Sequence, residues 1–250
     1  MAGHNKWSKI KHKKGAADAK KSKVWTKIIR EITLAARLSG EDPASNPRLR
    51  KALDDAKAAN MPKDNIARAI SKGSGGSVEE LEELTYEGYA PGGVALIIEC
   101  MTDNRNRTLS EVRTIIQKKG GSLGSVGSVA FLFKKKGQII YDSEVNSLPN
   151  EDQLLEIGLE HGLEDLQNDT DSICISCAPE NYLSLKEAYD NAKIVPSSAE
   201  ITMVPDLTVK VSLENAKKII EMIEALEDND DVQNVYTNMD FDDPQLMEIM

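Results

Sequence analysis

Seven side chains able to neutralise phosphate crowd the first fourteen positions: His4, Lys6, Lys9, Lys11, His12, Lys13 and Lys14. Lys20, Lys23, Lys27 and Arg30 continue the series, so the first thirty residues hold ten Lys and Arg against one acid, Asp18. A field this dense attracts polyanions over a Debye length, and each cation that meets a phosphate releases a counterion. Most basic runs are simply solvated. Here acids are nearly absent, the cations continue at helical spacing, and Trp7 and Ile10 interrupt the run as apolar anchors. Together these features point to a phosphate-binding arm. The chemistry names a polyanion without choosing between DNA and RNA.

A second cationic spot is the segment 102–108, TDNRNRT, between an apolar strand and a helix. Asn104, Asn106 or Thr108 could cap that helix. Arg105 and Arg107 then have two readings: salt bridges beside the cap, or contact with nucleic acid or with the N-terminal domain.

No constellation for covalent or metal chemistry accompanies these cations. His4 and His12 lie in the arm and His161 at an expected helix end, and no nucleophile elbow, zinc-protease or phosphate-loop string occurs. The C-x-x-C pair Cys174 and Cys177 falls within an expected strand and lacks two further zinc ligands, so it reads as buried and structural. The glycines of GGSLGSVG at 120–127 follow a helix and precede a strand, the reverse of a dinucleotide fingerprint. They read as a helix cap and irregular turn, with an exposed loop of backbone donors as the alternative. These observations predict a non-enzymatic protein with no cofactor, no metal and no small-molecule substrate.

The elements that must position the cations follow from periodicity. Trp25, Ile28, Ile29, Ile32 and Ala36 make one apolar stripe on a helix over 16–39, and Lys20, Lys23, Lys27 and Arg30 form a ridge roughly opposite it. Helices over 46–59 and 62–72 complete a small bundle before the Gly/Ser stretch 73–77. Beyond it the pattern alternates strands (83–89, 93–101, 127–133, 136–142, 163–167, 172–177, 199–204, 207–211, 232–239) with helices (106–119, 150–161, 180–192, 213–228). The expected class is α+β: an N-terminal helical bundle, then two ferredoxin-like α/β domains, one inserted in the other. The boundaries are 1–75 for the basic head, 76–133 with 206–250 for the middle domain, and 134–205 for the insert.

Charge divides along the same boundary. Residues 1–73 carry 18 basic and 7 acidic side chains, a balance of +11, and the remainder carries −21, giving −10 over 250 residues. At 40% hydrophobic and 29% charged the composition is that of a soluble globular protein. Aromatics at 4% argue against a stacking platform for single strands. Three cysteines without disulfide spacing fit a reducing compartment, and no apolar run approaches the roughly eighteen residues of a membrane span. A cytoplasmic protein with no membrane contact is expected; the sequence leaves the oligomeric state open.

Four blocks resemble the YebC family: MAGHNKWSKIKHKK at the start, NPRLRKALDDAKAANMPKDNIARAI at 46–70, YEGYAPGGVALIIECMTDNRNRT at 86–108, and GGSLGSVGSVAFLF at 120–133. The resemblance implies a helical head and two α/β domains in a bacterial cytoplasmic protein. A mitochondrial relative, the translational activator of cytochrome oxidase subunit one, carries an added transit segment; here the motif begins at Met1, and none is expected. Functionally the resemblance implies two competing roles. One is a translation factor that binds the ribosome and its RNA and relieves stalling, for example at consecutive prolines. The other is a DNA-binding transcriptional regulator. In either, Lys6 to Lys14 and the Arg105/Arg107 loop are the implied contacts, and the family supplies no catalytic residues to carry over.

Overall fold

The computed structural model describes residues 18–75, 81–143 and 145–241, with side chains from Ser22 onward. Three helices open the chain: α1 (Asp18–Ser39), α2 (Pro47–Ala58) and α3 (Lys63–Ser74). Their core is Ile32, Ala35, Leu49, Ala52, Ala56, Met61 and Ala69, with Trp25, Ile28 and Ile29 packed against it. The predicted stripe therefore faces the bundle. Asn46 joins two of the helices. Its side-chain oxygen accepts from the Leu49 amide at 3.0 Å, and its amide donates to Ala35 O and Gly40 O, each at 2.8 Å. Pro47 follows at the first helical position, where a missing N–H costs nothing.

The stretch expected as a Gly/Ser linker begins differently. Gly73 and Ser74 are the last residues of α3. A Cβ on Gly73 would lie 2.4 Å from Thr33 O and 2.8 Å from Ala36 Cβ, so glycine is there to let α3 pack against α1.

The described residues divide into two compact units, 131–208 and the remainder, so the bundle and the first sheet share one unit. That sheet contains β1 (Glu82–Ala90), β2 (Val94–Thr102), β3 (Ser122–Leu123) and β9 (Val232–Thr237), antiparallel in the order β3-β1-β2-β9. The nearly all-apolar β2 is central and buries Leu96, Ile97, Ile98 and Met101, side chains of both parities. Helices α4 (Arg105–Lys118) and α7 (Leu213–Glu227) pack Val112, Ile116, Ile219 and Ile223 into the same core as Leu96 and Ile98. The stretch 207–211 was expected as a strand of this sheet. It supplies only β8 (Val209–Lys210), paired in parallel with β10 (Met239–Asp240), and β1 takes the place beside β2.

The unit 131–208 runs β4 (Phe133–Asp142), α5 (Glu151–Glu160), β5 (Leu163–Asp169), β6 (Ser172–Cys177), α6 (Tyr182–Asn191) and β7 (Ser198–Pro205). Its sheet order β5-β6-β4-β7, antiparallel throughout, is the ferredoxin-like arrangement. Ile139, Tyr141, Ile173 and Ile175 bury against Leu154, Leu185 and Tyr189 of the two helices. Among the described residues no helix is long and apolar enough to cross a membrane.

Candidate nucleic-acid interface

Lys6, Lys9, Lys11, His12, Lys13 and Lys14, with the side chain of Lys20, lie outside the described residues. The other predicted contacts are placed. The ridge on α1 faces the end of α7 and the turn that follows it, residues 227–231. Lys23 Nζ donates to Asp228 O at 3.1 Å and pairs with Asp228 Oδ1 at 3.0 Å. Lys27 Nζ donates to Glu227 O at 2.9 Å. Arg30 Nη1 reaches Asp230 O at 2.6 Å, Met101 O at 2.9 Å and Asp231 Oδ1 at 2.8 Å. The reason is electrostatic: the last carbonyls of a helix have no partner within it and carry its negative pole, so cations cap them well. The predicted ridge exists, and its three described cations spend their charge within the chain.

Arg107 converges on the same carboxylate. Asn104 caps α4 by accepting from the Arg107 amide at 3.1 Å. That cap aims the guanidinium back, with Nη2 2.9 Å from Asp231 Oδ2 and 2.8 Å from Asp103 Oδ1. Thr108 Oγ1 donates to Asp231 Oδ2 at 2.7 Å. Asp231 is 3% exposed. Burial opposes its ionisation, but Arg107, Thr108 and Arg30 outweigh that and hold its carboxyl below the ordinary aspartate value. Of the two readings of Arg107, the structure places it in the cap-and-salt-bridge arrangement, sharing its acid with the head residue Arg30. Arg105 is turned outward, 68% exposed, its nearest ion-pair partner Glu82 at 3.6 Å.

A second ionic seam joins the bundle to the sheet. Arg48 of α2 holds Glu31 of α1 with Nε at 2.6 Å and Nη2 at 2.9 Å, and Glu83 of β1 with Nη2 at 2.6 Å. Glu31 is the main reason its guanidinium proton is held more tightly than usual, against the cost of burial.

In the glycine loop after α4 the amides of Gly120, Gly121, Gly124 and Gly127 are bonded within the chain. Gly120 (φ 84°) sends its amide to Gln117 O at 3.1 Å and Gly121 to Ile116 O at 2.9 Å, the pair of bonds that ends a helix in a Schellman turn. Further on, the amides of Gly127, Val129 and Ala130 converge on the buried Glu87 carboxylate at 2.6, 2.7 and 2.8 Å. Burial pushes Glu87 towards protonation, and these amides more than reverse it, leaving its pKa lowered. The strand expected over 127–133 is consequently absent. Its amides go to a side chain instead of a ladder, a 3-10 turn spans Ala130–Leu132, and β4 starts at Phe133.

Similarity to known proteins follows these elements closely. Residues 5–76 match the model described as "TACO1/YebC protein N-terminal domain", and 81–239 match "TACO1/YebC second and third domain". The chain belongs to the TACO1/YebC family. Relatives named "Probable transcriptional regulatory protein" include those of Geotalea uraniireducens, 48% identical, and Trichlorobacter lovleyi, 51% identical, each matched over 100% of both chains. The crystal structure of a conserved hypothetical protein from Aquifex aeolicus is also similar. It shares 45% identity and a TM-score of 0.82 over 94% of this chain and 96% of that one.

In this TACO1/YebC chain the residues that organise the site are the ones the cation pattern could not supply. Asp231 lies in the acidic run 227–231, EDNDD, and the sequence gives no sign of which acid is buried. Glu87 sits one residue before Gly88, where a Cβ would come within 2.6 Å of Ser122 O; that close approach of β3 is the only local hint of a crowded loop. The cysteines follow expectation in this family member. Cys100, Cys174 and Cys177 are buried and form no disulfide, and burial pushes the Cys100 and Cys177 thiols up to about 12 and about 11.

Proposed function

We propose that this chain is a non-enzymatic, cytoplasmic nucleic-acid-binding regulator of gene expression that acts in translation. It would bind the ribosome through ribosomal RNA and relieve stalling, for example at consecutive prolines. The observation that carries the nucleic-acid reading is the cation-dense start of the chain, ten Lys and Arg against one acid in thirty residues. The α1 ridge favours RNA phosphate over a DNA groove as the target. A helix that reads bases must lie in the groove with its side chains free, whereas Arg30 is fixed between Asp231 and the carbonyls of Met101 and Asp230. Contact then falls on Lys6, Lys9, Lys11, His12, Lys13 and Lys14, with Lys20 and the outward Arg105 in support. Such contacts fix position on phosphate without reading sequence. The step from RNA to stalled ribosomes rests on the family resemblance.

The second reading, a DNA-binding transcriptional regulator, is favoured by the name its relatives carry. Co-sedimentation with ribosomes and binding to promoter-length duplex DNA, both at physiological salt, separate the two. Ribosome association at sub-stoichiometric protein with weak, salt-sensitive DNA binding supports translation; selective duplex binding without ribosome association overturns it. Replacing Lys9, Lys11, Lys13 and Lys14 by Ala should abolish the interaction, and unchanged affinity would exclude the arm.

A further inference from the structure

The turn after α7 presents to α1 what a strand of phosphates would present. Along the ridge, one turn of α1 at a time, Lys23 meets Asp228, Lys27 meets Glu227 O, and Arg30 meets Asp230 O and Asp231. The turn combines carboxylates with the carbonyl pole of a fifteen-residue helix, both negative and both facing cations. The seam is also graded. At its outer end the side chains of Lys23 and Asp228 are 41% and 68% exposed, whereas at its inner end those of Arg30 and Asp231 are 21% and 4% exposed. An exposed pair is screened by salt and exchanges its partner readily; a buried one does not. The bundle and the sheet have separate apolar cores.

We propose that residues 227–228 act as a built-in anion that masks Lys23 and Lys27, and that nucleic-acid phosphate displaces it to make these lysines a second contact. The inference rests on the nucleic-acid reading of the head and adds its regulation. The arm engages first; its high local concentration of phosphate then competes with Asp228 for Lys23. Arg30 stays on Asp231 as the fixed end of the seam. Binding is thereby weaker than the ten cations allow, and steeper in salt once the outer end has opened.

The test uses the full chain and a fluorescently labelled mixed-sequence 20-nucleotide RNA, titrated between 50 and 200 mM salt (about the range over which phosphate contacts are resolved). Asp228→Asn should tighten binding about three- to tenfold and steepen the log–log salt slope by about 0.7 for each lysine released. Adding Lys23→Ala to Asp228→Asn should cancel that gain, while Lys23→Ala in the wild-type background should change affinity less than about twofold. Because Asp228 is exposed the variant folds, and its far-ultraviolet circular dichroism and melting point check this. If Asp228→Asn binds RNA as wild type does while the four-lysine arm variant loses binding, the mask is overturned and the arm reading stands. If wild-type protein binds no RNA, both fall together.

Discussion

Arg30 of α1 and Asp231, the residue just before β9, are 201 positions apart in sequence and form an ion pair of 2.8 Å. Through this pair the bundle formed by the first third of the chain is tied to the last strand of the first sheet. Arg107 takes the other oxygen of the same carboxylate, so one acid neutralises a cation from each side of the seam.

Removing that acid should cost far more than removing either cation. Asp231→Ala leaves two guanidinium groups facing each other with no anion between them, and should destabilise the protein by about 3 kcal/mol. Arg30→Ala leaves Asp231 with Arg107 and Thr108, and its partly exposed position limits the loss to about 1.5 kcal/mol. Urea denaturation followed by tryptophan fluorescence, with Trp25 in the bundle, measures both. Equal losses would show that Asp231 is not shared.

Acid should open the same seam. Asp231 and Glu87 both have pKa values lowered in the folded chain. A lowered carboxylate contributes stability that is complete above the unfolded value of about 4 and is lost as pH falls through the folded value. Stability should therefore be level from pH 7 to about 5 and decline below about 4. Asp231→Asn should show a shallower decline than wild type. Urea midpoints measured from pH 7 to pH 3 decide this, and an identical acid slope in the two proteins would remove Asp231 from the account.

Glu87→Gln should loosen one loop without unfolding the sheet. The amide side chain offers a single neutral acceptor oxygen where the carboxylate takes three amides, at a cost of about 1–3 kcal/mol. Hydrogen exchange should accelerate at the Gly127, Val129 and Ala130 amides and stay slow at Ile97 and Ile98 in the centre of β2. Uniform acceleration across the sheet would make Glu87 a general stability residue instead.

Thiol reagents should find nothing to modify in the folded protein. All three cysteines are buried, and two have thiols pushed far above neutrality by burial. Ellman's reagent should report no reactive thiol in native buffer and three in 6 M guanidinium (about the strength that unfolds most domains). Reaction of the Cys174/Cys177 pair under native conditions would contradict its placement in β6.

Local pattern made most of this fold legible. The alternation around Trp25 to Ala36, the unbroken apolar run of β2 and the βαββαβ order of residues 131–208 each follow from side-chain periodicity, which a sequence displays directly. Two kinds of feature did not. The strand expected at 127–133 has suitable residues, but its amides are claimed by Glu87, forty positions earlier, and no local rule announces such a capture. The ridge of Lys23, Lys27 and Arg30 was legible as a cationic face. What it faces was not, because the 227–231 turn is brought there only by the pairing of β9 with β2. Charge count gives the chemistry of a surface, and topology decides whether solvent or protein receives it.

The pairing of β9 with β2 also sets an order of events during synthesis. Strand β2 ends at Thr102 and its partner begins at Val232, with Ile98 opposite Val235. About 130 residues must be made between them, roughly 6 to 26 seconds at ordinary elongation rates. Throughout that interval the most apolar strand of the protein has one edge open to pairing with other chains. The unit 131–208 contains all four of its own strands and is complete when Pro205 emerges, so it can fold while β2 is still waiting. Once folded, it shortens the effective loop that β9 must close, because the start of its first strand and the end of its last already lie side by side at Phe133 and Pro205. Prompt folding of residues 131–208 thus leaves only a short closure to complete the first sheet once β9 has been made.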